Sequence, residues 1–153
     1  MARCAPARRA QTLLELVGVV LIIGLLATMA VTRYGASTVS DVGAQGFARR
    51  LMLDCLHARR AAISTGDNHL VRFTISGGKA TEYAVLRRQG GNTTQVDASR
   101  AVPSGVDVTT AGTTDMEFTF TGETLTSYTV TIAAPDRTLT VTVPQVTGKA
   151  FVQ

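Results

Sequence analysis

The most constraining feature of this sequence is an almost uncharged apolar run near its N-terminus. Residues 13 to 31 contain one charged side chain, Glu15, and no residue from Leu16 to Val31 is charged. At about 1.5 Å per helical residue the uncharged run spans roughly 24 Å, and starting it at Leu13 brings it near the ~30 Å hydrocarbon core of a bilayer. The run therefore predicts a membrane-spanning helix.

The excess positive charge of the chain lies ahead of this run. The formal net charge is +4, but Arg3, Arg8 and Arg9 precede the apolar segment, and without them 12 Lys and Arg face 11 Asp and Glu. Because basic flanks of a membrane span stay in the cytoplasm, we expect a cytoplasmic N-terminus and an exported C-terminal part. The nearly neutral remainder argues against a nucleic-acid partner.

Residues 33–66 are expected to continue the helix beyond the membrane. Residues 39–64 contain no proline, and Thr65-Gly66 provides a stop signal. The first half of this helical segment contains three glycines, which lower helix stability: Gly35, Gly43 and Gly46. They predict a bend or looser stretch over residues 33–46. Small and apolar residues at spacings of three and four form an amphipathic stripe: Phe47, Leu51, Cys55, Ala58 and Ala62.

The charged residues of this segment fall mostly off the stripe. Arg50 and Asp54 are four apart and are expected to pair on the surface. Arg49, Arg50, Arg59 and Arg60 could form a basic patch, but a solvated helix face is the preferred interpretation.

Residues 67–153 change to the two-residue period of β-strands. Segments 70–75 and 82–86 flank Gly77-Gly78 as a hairpin. Alternation of apolar and polar residues predicts three further strands. In the first, Met116, Phe118 and Phe120 face one side and Glu117 faces the other. The apolar faces of the second and third are Tyr128, Val130 and Ile132, and Leu139, Val141 and Val143. Gly122-Glu123 and Pro135-Asp136 mark turns, Gln89 to Asn92 reads as a loop, and residues 99–115 as an irregular connection.

These elements predict an α+β fold. A long N-terminal helix, partly transmembrane, packs its second half on an antiparallel β-sheet domain in one or two small layers. The expected organisation is a leader at 1–10, a transmembrane half-helix at 11–32, its amphipathic continuation at 33–66 and a β-rich globular domain at 67–153.

The segment from Arg9 to Leu16, Arg-Ala-Gln-Thr-Leu-Leu-Glu-Leu, resembles the prepilin cleavage and methylation motif of type IV pilins and pseudopilins. In that resemblance Ala10 ends the leader, Gln11 becomes the methylated N-terminus, and Thr12, Leu13, Leu14 and Glu15 form the assembly segment. The family prefers Gly where Ala10 stands and Phe or Met where Gln11 stands. These departures bear on processing efficiency more than on family membership.

Glu15 requires a physical explanation, because a carboxylate within a spanning helix costs a few kcal/mol on insertion scales. The resemblance implies a partner for it, the free α-amino group of Gln11 in a neighbouring subunit. The alternative is a side chain that snorkels to the cytoplasmic interface.

A second resemblance narrows the class. The pattern Leu51, Asp54, Ala58-Arg59, Ala62-Ile63 and Gly66 is similar to the helix of GspH/FimT-type minor pseudopilins. The segment from Phe118 to Gly122 and the terminal Thr147-Gly148-Lys149-Ala150 are similar to later motifs of that family. The resemblance implies a non-enzymatic subunit of a type II secretion pseudopilus or type IV pilus, with a prepilin peptidase, other pilin-like subunits and the inner-membrane assembly platform as partners.

Three alternatives remain open. The exported domain could bind DNA or a secreted substrate at a fibre tip, although Lys149 is the sole basic residue of the C-terminal tail. The chain could instead be an uncleaved single-pass membrane protein with an adhesive or sensory β domain. An ordinary secretory signal cut near Ala30 is disfavoured by Glu15 and by the lack of a strong cleavage site.

No catalytic, metal or cofactor site is predicted. Cys55 and His57 are two apart on a helix and do not face each other, and His69 opens a strand without a ligand-spaced neighbour. Cys55 is expected to be a small core residue. Cys4 lies in the leader, so a mature chain would hold no intramolecular disulfide.

We predict processing between Ala10 and Gln11, because the basic leader ends there and the apolar helix follows. Intact-mass or N-terminal analysis of membrane-extracted protein tests this prediction. Ala10→Gly should speed cleavage, whereas a chain that begins at Met1 or near Val31 would contradict it.

Overall fold

The computed structural model describes residues 13–153, so Ala10, Gln11 and Thr12 lie outside the described residues. Residues Ser37–Gln153 form one compact unit, and the described residues before them belong to another. The described chain contains one helix, α1 (Leu13–Thr65), and nine strands: β1 (Asn68–Ser76), β2 (Lys79–Gln89), β3 (Asn92–Gln95), β4 (Arg100–Ala101), β5 (Asp107–Ala111), β6 (Asp115–Phe118), β7 (Tyr128–Ala134), β8 (Arg137–Val143) and β9 (Phe151–Val152).

The helix ends where the sequence predicts. Gly66 follows α1 with φ of 74° and donates its N–H to the Ala62 carbonyl at 3.0 Å, a left-handed cap that glycine adopts without strain. Helical structure continues without a break past Gly35, Gly43 and Gly46, since the helix on either side is long enough to tolerate the glycine cost. The expected bend or looser stretch over 33–46 stays a prediction.

The first sheet is built on a hairpin. Strands β1 and β2 pair antiparallel through Gly77 and Gly78, whose φ angles of 59° and 78° fit a two-residue turn with both centres left-handed. The strand order is β3-β2-β1-β6, and β4 also pairs with β2. The predicted loop at Gln89–Asn92 is a second tight turn, through Gly90 and Gly91, that leads into β3.

The second sheet has the order β5-β7-β8-β9. Strands β7 and β8 form the predicted hairpin around Pro135-Asp136, with Val130 opposite Val141 and Ile132 opposite Leu139. The chain therefore places β6 and β7 in different sheets. The turn at Gly122 is a change of sheet and not a hairpin.

Three predictions for the β region are corrected. Residues 99–115 are not wholly irregular, because they contain β4 and β5. Phe120 does not join Met116 and Phe118 in the core, because β6 ends at Phe118 and leaves Phe120 exposed. Glu117 does not face water, because an arginine and an asparagine cover it: its carboxylate pairs with Arg88 and accepts a hydrogen bond from Asn68 Nδ2 at 3.0 Å.

One hydrophobic core joins the helix to both sheets. The predicted stripe is buried, and Phe47 packs edge-on against Tyr83 with ring centroids 5.5 Å apart. The remaining stripe residues are mostly small, which lets the strands approach the helix closely. The core residues from the sheets include Val71, Phe73, Val85, Val108, Met116, Phe118, Val130, Ile132, Val141 and Val143. This architecture confirms the predicted α+β fold.

We expect Leu51→Ala to lower the free energy of unfolding by about 2 to 5 kcal/mol, since Leu51 is fully buried and truncation leaves a cavity. Leu53 lies on the same helix but is 56% exposed, so Leu53→Ala should change stability by about 0.5 kcal/mol or less. Denaturant unfolding of both variants measures the difference. Equal effects would contradict the proposed helix register.

Candidate assembly interface

The start of α1 presents an apolar surface on every side. Within the described residues, the side chains of Leu13 and Leu14 are 81% and 85% exposed, and the large apolar side chains through Val31 are exposed as well. The helix is long and apolar enough there to cross a membrane. An apolar surface of this extent is not stable in water, so it must be covered by lipid or by other helices.

Glu15 lies in the first turn of α1 and is exposed. A carboxylate in the first turn also interacts favourably with the helix dipole, whose N-terminal end is positive. Leu13, Leu14 and Glu15 thus share one exposed helix start. The predicted partner of Glu15 remains a prediction, since Gln11 lies outside the described residues.

Two hydroxyl side chains near the end of the apolar run, Thr28 within it and Thr32 directly after it, are satisfied inside the helix. The Thr28 hydroxyl donates to the Leu25 carbonyl at 2.8 Å, and the Thr32 hydroxyl lies 3.0 Å from the Met29 carbonyl. Hydroxyls bonded in this way do not require water. The segment is therefore compatible with hydrocarbon along its length, with Glu15 as the exception.

Asp54 is the polar anchor between α1 and the β domain. Its Oδ2 atom accepts hydrogen bonds from the Tyr83 hydroxyl and from Arg100 Nε, each at 2.7 Å, and the residue is only 8% exposed. The predicted ion pair with Arg50 is present at 3.8 Å, but Asp54 is buried and not at the surface, and its Tyr83 and Arg100 donors bind more closely. Burial and then the bond to Asp54 raise the pKa of the Tyr83 hydroxyl well above its usual value, so it remains a donor.

Arg59 ties the end of α1 to two loops. Its Nε donates to the Gly122 carbonyl at 2.8 Å. Gly122 and Gly148 both have positive φ, 84° and 56°, and a Cβ on Gly148 would lie 2.2 Å from the Gly122 oxygen. Only glycine fits that contact. A Cβ on Gly122 would likewise meet Ile63 at 2.7 Å.

These contacts give a structural role to each element of the helix pattern. Leu51, Ala58 and Ala62 are core residues, while Asp54 and Arg59 are anchors to the strands and loops. The two later motifs, Phe118 to Gly122 and Thr147 to Ala150, lie next to each other at Arg59 through Gly122 and Gly148. The helix pattern and the two later motifs therefore contact one another in the folded domain.

The four arginines of the predicted patch do not share one role. Arg59 is used by the Gly122 carbonyl, while Arg49, Arg50 and Arg60 are exposed. Four of the five strand arginines pair with carboxylates: Arg72 with Asp115, Arg87 with Asp67, Arg88 with Glu117 and Arg100 with Asp54. These pairs neutralise most of the positive charge of the strands, which does not favour an anionic polymer there.

The described residues offer no reactive centre. Cys55 is fully buried, and burial followed by the charge of Asp54 raises its pKa to about 12, so the thiol is inert and packs as a core residue. His57 is exposed, whereas His69 is buried with its Nδ1 3.0 Å from the Asp67 carbonyl oxygen. No group of three or more His, Cys, Asp and Glu side chains in the described part is arranged to hold a metal.

No protein-family model and no curated protein matches the chain by sequence. Solved structures do match it. The type IV minor pilin FimU of Pseudomonas aeruginosa has a TM-score of 0.60 at 14% identity, over 71% of this chain and 87% of that one. Two structures of the minor pseudopilin EpsH from the type II secretion system of Vibrio cholerae have TM-scores of 0.61 and 0.56 at 14% and 18% identity. They cover 75% and 74% of this chain, and 97% and 95% of theirs.

The chain has a pilin-like fold. The structural neighbours include a minor pilin and a minor pseudopilin, which confirms the fold expected from the N-terminal motif and the helix pattern. At these identities the likeness concerns the fold. The residues of the processing and assembly motif remain predictions.

Sequence reasoning missed the Asp54 anchor, although a signal for it exists. Asp54 lies three residues after Leu51 and next to Cys55, so its side chain falls at the border of the buried stripe. An acidic residue at such a position is buried only with partners. Those partners, Tyr83 and Arg100, are 29 and 46 residues away and cannot be identified by spacing.

We expect Asp54→Ala to destabilise the domain by about 3 kcal/mol, because it leaves the buried Tyr83 hydroxyl and Arg100 Nε without their acceptor, although Arg100 keeps its pair with Asp97. Arg50→Ala, which removes only the exposed neighbour at 3.8 Å, should cost about 1 kcal/mol or less. Tyr83→Phe should destabilise the domain by an amount between those of Asp54→Ala and Arg50→Ala. Chemical denaturation ranks the three variants, and an Arg50→Ala cost equal to that of Asp54→Ala would contradict the anchoring role of Tyr83 and Arg100.

Proposed function

We propose that this protein is a minor pilin-like subunit of a type II secretion pseudopilus or type IV pilus, with a structural role and no catalytic one. Two observations on one chain carry the proposal: a pilin-like fold, and an exposed apolar helix segment that begins at Leu13, is long enough to cross a membrane and contains Glu15. The FimU and EpsH matches support the minor class, since they cover most of both chains.

The proposed sequence of events follows from the N-terminal motif. The precursor inserts in the inner membrane with its basic leader, residues 1–10, in the cytoplasm and its domain on the periplasmic side. A prepilin peptidase cuts after Ala10 and methylates Gln11. The assembly platform then moves the subunit out of the membrane into a fibre of other pilin-like subunits.

Assembly through α1 has a physical basis in the apolar surface at the start of the helix and in the charge of Glu15. The apolar start requires cover, and in a fibre the equivalent helices of neighbouring subunits provide it as lipid does in the membrane. Glu15 then enters a low-dielectric helix bundle, where the α-amino group of a neighbouring Gln11 compensates its charge. The pair fixes the axial register between subunits, because any other offset leaves both charges unpaired.

The competing functions make different predictions about the same protein. An uncleaved membrane protein keeps Met1, whereas the proposed subunit starts at Gln11. A fibre-tip module for DNA would retain duplex DNA in a salt-dependent manner. The occupied strand arginines, such as Arg72 and Arg100, do not favour that alternative.

We expect Glu15→Leu to insert, to be cleaved and to fold its domain, but to fail in assembly. Removing one partner of a charge pair in low dielectric leaves the other uncompensated, which costs about 3 to 5 kcal/mol. Glu15→Gln keeps the shape of the side chain and should fail too, whereas Leu21→Ala should assemble. The measurement is incorporation into fibres, or into a cross-linked complex with other pilin-like subunits, at equal membrane abundance.

Normal incorporation of both Glu15 variants would show that the side chain merely snorkels to the interface. The proposed register role would then be abandoned. If Leu21→Ala also failed to assemble, the defect of the Glu15 variants would reflect a general sensitivity of the helix to substitution and not the loss of a charge.

A further inference from the structure

A cavity lies between the end of α1 and the first sheet. It has a volume of about 340 Å³, and its floor is a row of paired side chains, His69 of β1, Arg87 of β2 and Thr94 of β3. Paired residues of neighbouring strands share one face of a sheet, so the row runs from the core to the sheet edge. Ala61 and Thr65, one helical turn apart, form the wall on the helix side.

His69 turns an unpartnered ring nitrogen towards this cavity. The residue is only 2% exposed, and its Nδ1 lies 3.0 Å from the Asp67 carbonyl oxygen. Since a carbonyl oxygen only accepts, Nδ1 carries the hydrogen of this bond, and in the neutral ring Nε2 keeps a free lone pair.

Nε2 has no hydrogen-bond partner within the part of the chain that the structure describes. No buried side-chain nitrogen or oxygen of that part lacks a partner, so Nε2 must reach open space, and His69 borders the cavity. The floor of the cavity therefore contains a hydrogen-bond acceptor on an otherwise buried side chain.

The other polar groups of the cavity add donors without adding net charge. Arg87 uses Nε and Nη2 on the Asp67 carboxylate, which offsets its charge and leaves Nη1 without a partner among the described residues. The Gln89 amide and the Thr94 hydroxyl also line the cavity and have no partner in the described part. Donors and acceptors thus lie side by side around a neutral space.

We propose that this cavity binds one ring of a neutral sugar. Each hydroxyl of a sugar both donates and accepts, so the ring can donate to His69 Nε2 and accept from Arg87 Nη1 and the Thr94 hydroxyl. Its C–H face packs against the methyl groups of Ala61 and Val96. Small-molecule sites have volumes of about 300–1,000 Å³, so a cavity near the lower limit suits a single ring.

The charges around the cavity separate a neutral sugar from charged ligands. An anion would compete with Asp67 for Arg87, which that carboxylate already pairs. A cation would meet Arg87 and no carboxylate, because none of the described residues that line the cavity is acidic. The inference uses residues 61–96 alone, so its failure would leave the proposed role of Glu15 untouched.

The test uses the full chain in micelles of dodecylphosphocholine, a detergent without a sugar headgroup. The probes are the methyl glycosides of glucose, galactose and mannose, and NMR spectra follow the His69 ring and the Thr94 amide. We expect at least one glycoside to shift these signals in a saturable manner, with a Kd below about 10 mM. Glucuronate, a sugar of similar size with a carboxylate, should bind more weakly than the best neutral probe.

Variants of the cavity test whether the bound sugar uses its polar groups. His69→Asn keeps an N–H for the Asp67 carbonyl but has no atom at the position of Nε2, and it should weaken binding about tenfold or more. Thr94→Val removes a cavity hydroxyl from an exposed position and should weaken binding about threefold or more. Thr93→Val is the matched control, because Thr93 is also exposed and pairs with Arg88 on the other face of the sheet.

Three results would overturn the proposal. The first is the absence of a saturable shift with all three glycosides at up to about 100 mM. The second is tighter binding of glucuronate than of any neutral probe, which would assign the cavity to an anion. The third is an equal effect of the Thr94 and Thr93 variants, which would place the sugar outside the cavity.

Discussion

The domain depends on the packing of one helix face against two sheets at once. Small residues on that face, chiefly Ala44, Ala48, Cys55 and Ala58, have no exposed surface and let both sheets approach α1 closely. Phe47 adds one large anchor against Tyr83. Because interiors are close-packed, a larger side chain at a small position would separate the layers. The small side chains of this helix face therefore allow the helix and both sheets to share a single core.

Buried polar contacts then fix how the layers lie on the helix. Asp54 joins α1 to β2 and β4, and Arg59 joins it to the loop at Gly122, against which Gly148 packs. Apolar packing is non-directional, whereas each of these bonds has one satisfactory geometry. The two anchors lie more than one helical turn apart, so together they specify both the position and the rotation of the helix face.

The proposed function uses the two parts of α1 in different ways. The apolar start, with Glu15 as its charged residue, is suited to lipid or to a bundle of helices. The part of the helix from Ala44 to Ala62 is committed to its own domain. A subunit built in this way can leave a membrane for a fibre without unfolding, because the domain core shares no residue with the apolar start.

The sequence alone determined the features that depend on local period and composition. The apolar run, the buried stripe from Phe47 to Ala62, the hairpin at Gly77-Gly78 and the helix stop at Gly66 were all predictable, because each is encoded within a few residues. Tertiary structure alone decided the division into two sheets, the burial of Asp54 and Glu117, and the exposure of Phe120. In each case the deciding partner lies far along the chain, and neither alternation nor spacing identifies which distant strand or side chain will cover a residue.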